Sequence, residues 1–293
     1  ANTTGGYNTA IGTMALDSLT TANYNTTCGY HSLHSTTTGA SNTAIGTWAM
    51  GDNTTGYSNV AVGYEAIYAQ TTSYYNTAVG YRASKYMTTG HSNTAVGSRA
   101  LSANTTGYQN TALGDTALYN NTTGLNNTVV GYWAGNTSTD CDNCTIIGQS
   151  AVSSAASVDN EITLGNSSIS SLRCQVTSIT SLSDERDKTD IVDLPVGLDF
   201  VNTLRPIKFK WKTREGVPAK DGTERAGFTA QQLKSAQTDA VADYMNLVYE
   251  SNPDKLEASY GNLIPVLVQS IKELTTKIEG LGAEVEGLKV EIE

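Results

Sequence analysis

Ser183 stands five residues before Lys188 in the run S-D-E-R-D-K. A serine hydroxyl is a weak nucleophile until a base takes its proton. A lysine amine can do so only when neutral, which requires a site that strips water from it and lowers its pKa. The carbonyl of Leu182 is the adjacent electrophile, and attack on it would form an ester at Ser183 that water then opens. Asp184 and Arg186 lie between the two and could orient either the pair or the scissile peptide. Nothing in this chemistry calls for a metal or a cofactor. An exposed charged linker would have the same composition, so these six residues alone leave both readings open.

Other reactive side chains are sparse. Cys141 and Cys144 form one C-x-x-C without a second pair, which disfavours a four-ligand zinc site, and Cys28 and Cys174 add no disulfide framework. Cys28 falls where other repeats carry Ile or Val, so it reads as a small buried hydrophobe. His31, His34 and His91 lack neighbouring ligands and read as surface residues. A net charge of −10 opposes nucleic-acid binding. No apolar run reaches the roughly 18 residues of a membrane span, and no signal peptide is present. The chain starts at Ala1, part-way into a repeat, as expected of the C-terminal piece of a longer protein.

The elements that must position these residues fall into two compositions. Residues 1–165 hold 8 acidic and 3 basic side chains, whereas residues 183–293 hold 20 and 14. In the first part a glycine recurs every 17 residues, from Gly12 and Gly29 through Gly148 to Gly165, without insertion over ten units. An asparagine stands four residues before it (Asn8, Asn25, Asn42 and on to Asn127), an apolar residue directly before it, and a small–apolar pair such as Ala49-Met50 follows it. Seventeen residues are too few for a helical repeat. The N-T-A-I-G alternation fits a strand with one buried face. The expectation is a parallel β-solenoid of two short strands and two turns per coil.

Stacked coils align like residues. The asparagines should form an amide ladder, and the T-T-G threonines should form turns whose hydroxyls satisfy backbone groups. A flat threonine array that orders water, as in ice-binding solenoids, is the sharper alternative. Tyr57 and Tyr108 before the strand, and Trp48 and Trp133 two residues after the glycine, are candidate receptor contacts, suited to stacking on a saccharide or to packing between subunits. No paired carboxylates mark a glycosidase site in this part. One coil encloses little apolar surface, so three rods around an axis would bury more. The pattern resembles the N-S-x-A-x-G head repeats of trimeric autotransporter adhesins, which implies a trimeric β-roll.

Beyond the seam, residues 195–204 read as a short helix, Ile207 to Lys212 as a strand, and Ala226–Leu233 as running into a second helix. From about residue 260 the apolar positions Ile264, Leu267, Ile271, Leu274, Ile278, Leu281, Val285, Leu288 and Ile292 step by three and four, as in a coiled-coil seam. β-branched residues at a with Leu at d favour two strands, while the rod favours three.

The order of landmarks resembles the intramolecular chaperone domain that ends phage endosialidase tailspikes and several tail fibres. These are S-D-x-R-x-K at Ser183, the stretch Leu204 to Trp211, G-F-T-A-Q at Gly227, and Y-x-x-L with I-K-E-L from Tyr260 to Leu274. The resemblance implies a trimerisation chaperone that cuts itself off between Leu182 and Ser183, once and in cis, with Ser183 and Lys188 as the catalytic pair. No enzyme acting on an external substrate is expected.

The reading is therefore an all-β shaft over 1–165, a connector over 166–182 and an α+β chaperone over 183–293 ending in a coiled-coil helix. As a whole it would be the distal part of a phage tail fibre or tailspike. Such a protein would be made in the host cytoplasm and carried on the virion as a homotrimer. Its missing N-terminus would join tail or baseplate proteins, and its shaft would meet a host cell-surface receptor, a saccharide by its chemistry. A bacterial or other viral surface adhesin with the same chaperone, and an ice- or saccharide-binding solenoid, are the alternatives.

Overall fold

The structure is a computed structural model that describes residues 2–169, 171–173, 183–211, 222–250, 252–254 and 256–292. Leu182, Cys174 and Lys212 lie outside the described residues. The chain divides into two compact units, Ala1–Ser170 and Ser171–Glu293.

The first unit is a parallel β-solenoid. Ten three-residue strands, from β1 (Thr9–Ile11) to β10 (Ile162–Leu164), pair in sequence order, each residue with its counterpart 17 positions on. The central residue of each inner strand is buried, as with Ala44, Ala61, Ala78 and Ile146, and its two neighbours face outward. The aliphatic residue before the glycine is thus outside, where the alternation alone had placed it on a buried face. Cys28 shares that column and is exposed rather than buried.

Among the described residues the expected second strand of each coil is absent. Two and four residues after the glycine the backbone is left-handed, as at Trp48 (φ 60°) and Met50 (φ 53°), and a third left-handed residue, such as Ser58 (φ 54°), precedes each strand. Each such non-glycine residue costs roughly 1–2 kcal/mol. The alternation folds the segment into turns that carry Leu33, Met50, Ile67, Leu101 and Leu118 fully inside. Burying one such side chain returns roughly 1.5–3 kcal/mol, and coil-to-coil hydrogen bonds such as Met50 N–H to Ala66 O at 3.0 Å satisfy the turn backbone. The repeating glycine is required on two counts. Gly46 has φ +132°, and a Cβ there would lie 2.5 Å from the carbonyl oxygen of Gly63.

The asparagine ladder forms, mainly by side chain to backbone. The Asn59 side-chain oxygen accepts the Asn76 backbone N–H at 2.9 Å, and the Asn59 amide donates to Ser73 O at 2.9 Å and to Asn42 Oδ1 at 3.1 Å. Cys144 continues this column beyond Asn127. Its backbone N–H donates to Asn127 Oδ1 and its thiol to Val158 O, and burial pushes the thiol pKa up to about 11. Cys141 belongs to a separate inward column, so the C-x-x-C is two core positions, both free thiols. The first threonine of each T-T-G donates to the next coil's carbonyl, as Thr54 does to Thr71 O at 2.8 Å, while the second, from Thr4 to Thr123, is exposed.

The second unit is a small α+β body. Helix α1 (Leu198–Thr203) is followed by the antiparallel pair β11 (Ile207–Phe209) and β12 (Arg225–Gly227). Helix α2 (Ala230–Asp239), the pair β13 (Val248–Tyr249) and β14 (Glu257–Ala258), and the 29-residue α3 (Ile264–Ile292) complete it. Phe200, Leu233, Met245, Leu247, Leu263 and Val266 form its core. The Tyr260 hydroxyl donates to Phe228 O and accepts from Phe228 N–H, and a Cβ at Gly227 would lie 2.8 Å from it, which accounts for the glycine. Pro265 sits in the first turn of α3, where its missing N–H costs nothing. Beyond that contact α3 leaves its seam exposed from Ile264 through Ile271, Ile278 and Leu281 to Leu288.

Candidate functional site

A short 3-10 turn, Glu185–Asp187, brings Ser183 and Lys188 together. Asp184 starts it by accepting the Arg186 backbone N–H at 2.9 Å, and the Lys188 N–H returns to Glu185 O at 3.1 Å. The turn reverses the chain so that Lys188 Nζ donates to Ser183 Oγ at 2.7 Å and reaches Ser183 O at 3.4 Å. Asp184 and Arg186 engage each other, with guanidinium-to-carboxylate distances of 2.5–3.1 Å. The Arg186 hydrogen bonds hold the Asp184 carboxyl below the usual carboxylate range. Their role in this geometry is to brace the turn. All six residues are exposed, and among the described residues of this unit none covers the Lys188 amine.

The four aromatic candidates occupy different places. Tyr57 and Tyr108 are the ends of one column, Tyr57–Tyr74–His91–Tyr108, whose rings stack at 5.2, 4.8 and 4.8 Å and within 15° of parallel. The faces of the inner rings are spent on one another, so this column offers a ligand mainly ring edges and hydroxyls. Trp48 belongs to a cluster with Tyr30, His31, His34 and Tyr68, and stacks on His31 at 4.1 Å. The three histidines are part-buried ring partners rather than free surface residues. The Nδ1 atoms of His31 and His34 are buried without a hydrogen-bond partner. Trp133 stands five coils from Trp48, exposed beside Tyr132.

Residue-by-residue reading missed a charged cluster. All three shaft cations, Arg82, Lys85 and Arg99, fall in two consecutive coils. Arg82 and Lys85 both hold Glu65, at 2.8 and 2.7 Å, beside the stacked Tyr64–Tyr81 pair. The 17-residue step contained the signal, since Glu65, Arg82 and Arg99 share one column. Among the described residues no group of three or more His, Cys, Asp or Glu side chains is placed to hold a metal ion, and no helix is long and apolar enough to cross a membrane.

Residues 183–242 match the model of a peptidase family described as the chaperone of endosialidase. No curated protein and no solved structure matches the chain. The matched segment begins at Ser183 and covers the turn, α1, both strands of the first hairpin and α2. A segment similar to that family thus follows a β-solenoid shaft in the sequence.

Proposed function

We propose that this chain is the distal part of a phage tail fibre or tailspike, a homotrimer whose C-terminal unit assembles the shaft and then cuts itself away. The observation that carries the reading is the family match starting at Ser183, the residue whose hydroxyl lies 2.7 Å from the Lys188 amine. In the proposed reaction neutral Lys188 takes the Ser183 hydroxyl proton and the oxygen attacks the Leu182 carbonyl carbon. The Leu182–Ser183 C–N bond then breaks, its nitrogen leaving as an amine protonated by Lys188. The resulting ester joins the Leu182 acyl group to Ser183 Oγ. Water opens it, giving a Leu182 carboxylate and a free Ser183 amino terminus.

The exposure of the pair supports a coupling to assembly. A solvated ammonium is no base, so the reaction waits until neighbouring subunits cover it. The exposed apolar seam of α3 is where those subunits would first meet. The finished shaft would present its Tyr and Trp columns to a saccharide receptor on the host surface. On a denaturing gel the assembled protein should run as pieces of 182 and 111 residues, counted from a 293-residue chain. Ser183→Ala and Lys188→Ala should each leave one full-length band. Full-length wild-type protein after complete assembly would overturn the cleavage step.

A further inference from the structure

The outer face of the ten strands is a continuous uncharged strip. On one side run Thr9, Thr26, Thr43, Thr77, Thr94, Thr111, Thr128 and Thr145, with Val60 and Ile162 replacing Thr in two coils. On the other run Ile11, Cys28, Ile45, Val62, Val79, Val96, Leu113, Val130, Ile147 and Leu164. Ile11, Ile45, Val79, Leu113, Ile147 and Leu164 are among the exposed large hydrophobic residues. None of the eight acidic and three basic residues of 1–165 falls on either column. With strands about 4.8 Å apart and about 10 Å long, the strip measures on the order of 450 Å², the size of the largest apolar patch on an ordinary monomer.

We propose that this strand face is where copies of this chain pack against one another along the shaft, parallel and in register. The proposal rests on the trimeric reading above and names the surface that reading needs. Two features select another copy as the occupant. The apolar residues recur once per coil, so a surface that meets all ten must repeat at the same rise, and another copy of the shaft does. The acidic shaft keeps its charges off this face, which lets like-charged copies approach without burying unpaired carboxylates. The parallel sense follows from α3, whose exposed heptad seam pairs like residues with like when helices run the same way.

The test uses the full chain, sedimented and labelled under native conditions. Cys28 lies on the strip, and its labelling by a small maleimide is followed by peptide mass mapping. In the assembled protein Cys28 should react more than tenfold more slowly than in the denatured chain. Val79→Asp, on the strip, should lower the sedimenting mass, whereas Thr89→Asp, on the exposed threonine column, should not. Assembled protein whose Cys28 reacts at the denatured rate, or a Val79→Asp variant that keeps the full assembled mass, would overturn the face and leave the trimer standing. Wild-type protein that sediments as a single folded chain would overturn both.

Discussion

The Glu273 carboxylate accepts the backbone N–H of Leu198 at 2.8 Å, joining α3 to the first turn of α1 across 75 residues. This bond, and then one from the Gln269 side chain, hold the Glu273 pKa below the ordinary carboxylate value. A depressed pKa means stability that is present above the unfolded value near 4.5 and is lost as pH falls through the folded value. The α1–α3 contact should therefore loosen only in acid. Glu273→Gln keeps an acceptor but should flatten the dependence of the melting temperature on pH below about 5. Glu273→Ala should speed hydrogen exchange at residues 198–203 at neutral pH. Unchanged exchange in the alanine variant would show that the carboxylate does not hold α1.

Lys188 should be irreplaceable as a base and replaceable as a donor. Lys188→Arg can still donate to Ser183 Oγ, but a guanidinium stays charged at any working pH. This variant should assemble normally and remain uncleaved, with less than a hundredth of the wild-type rate in a time course on denaturing gels. If the pair depends on assembly for its desolvation, cleavage during refolding should also speed up with chain concentration. Leu274→Asp, in the α3 seam, should then stay both unassembled and uncut. Rapid cleavage of that variant as a single chain would separate the chemistry from assembly.

Much of this molecule is legible because a solenoid repeats its constraints. The glycine period follows from a φ near +130° combined with a carbonyl 2.5 Å from any Cβ, and that combination admits no other residue. The buried asparagines follow from the same logic, since each must satisfy two coils at once. Legibility fails where the constraint is conformational rather than chemical. Left-handed backbone at Trp48 and Met50 leaves no mark in residue type, so turns read as a strand. The outward aliphatic column misleads because apolar character usually signals burial, and here it is left uncovered in a single chain. In the second unit Gly227 and Tyr260 stand as separate landmarks in the sequence. Their meeting between the first hairpin and the 3-10 turn that leads into α3 becomes visible only in three dimensions.

Asn76 tests the ladder in mid-shaft. Its side-chain oxygen accepts the Asn93 backbone N–H at 2.9 Å and its amide donates to Gly90 O at 3.1 Å, all within the buried interior. Asn76→Ala leaves both groups unsatisfied, at about 1–3 kcal/mol each, and should lower the unfolding midpoint of the shaft clearly. Asn76→Asp retains the acceptor but loses the donor and buries a charge, so it should be worse at pH 7 and partly recover as pH falls. The two melting curves should therefore converge in acid. Parallel curves would mean that the side chain matters only for its volume.

Glu65 tests the charge cluster it forms with Arg82 and Lys85. Burial alone would raise its pKa, but the hydrogen bonds from Lys85, Tyr64 and Arg82 outweigh it and hold the carboxyl below its ordinary value. The hydrogen bond to Glu65 raises the Lys85 pKa, against a smaller opposing effect of burial. The signs set a window. The Glu65 contribution is lost as pH falls through its depressed value, and the Lys85 contribution is lost only as pH rises through its raised one. The cluster thus stabilises the shaft across the whole neutral range. Glu65→Gln leaves Arg82 and Lys85 close together without their shared carboxylate, and should cost about 1–3 kcal/mol at pH 7. The side chains are only 14% and 13% exposed at Glu65 and Lys85, so added salt should recover little of the loss. In the double variant Glu65→Gln/Lys85→Met the penalty should shrink, because the unpaired cation goes with its partner. A double variant as unstable as the sum of its singles would mean that the two residues do not act as a pair.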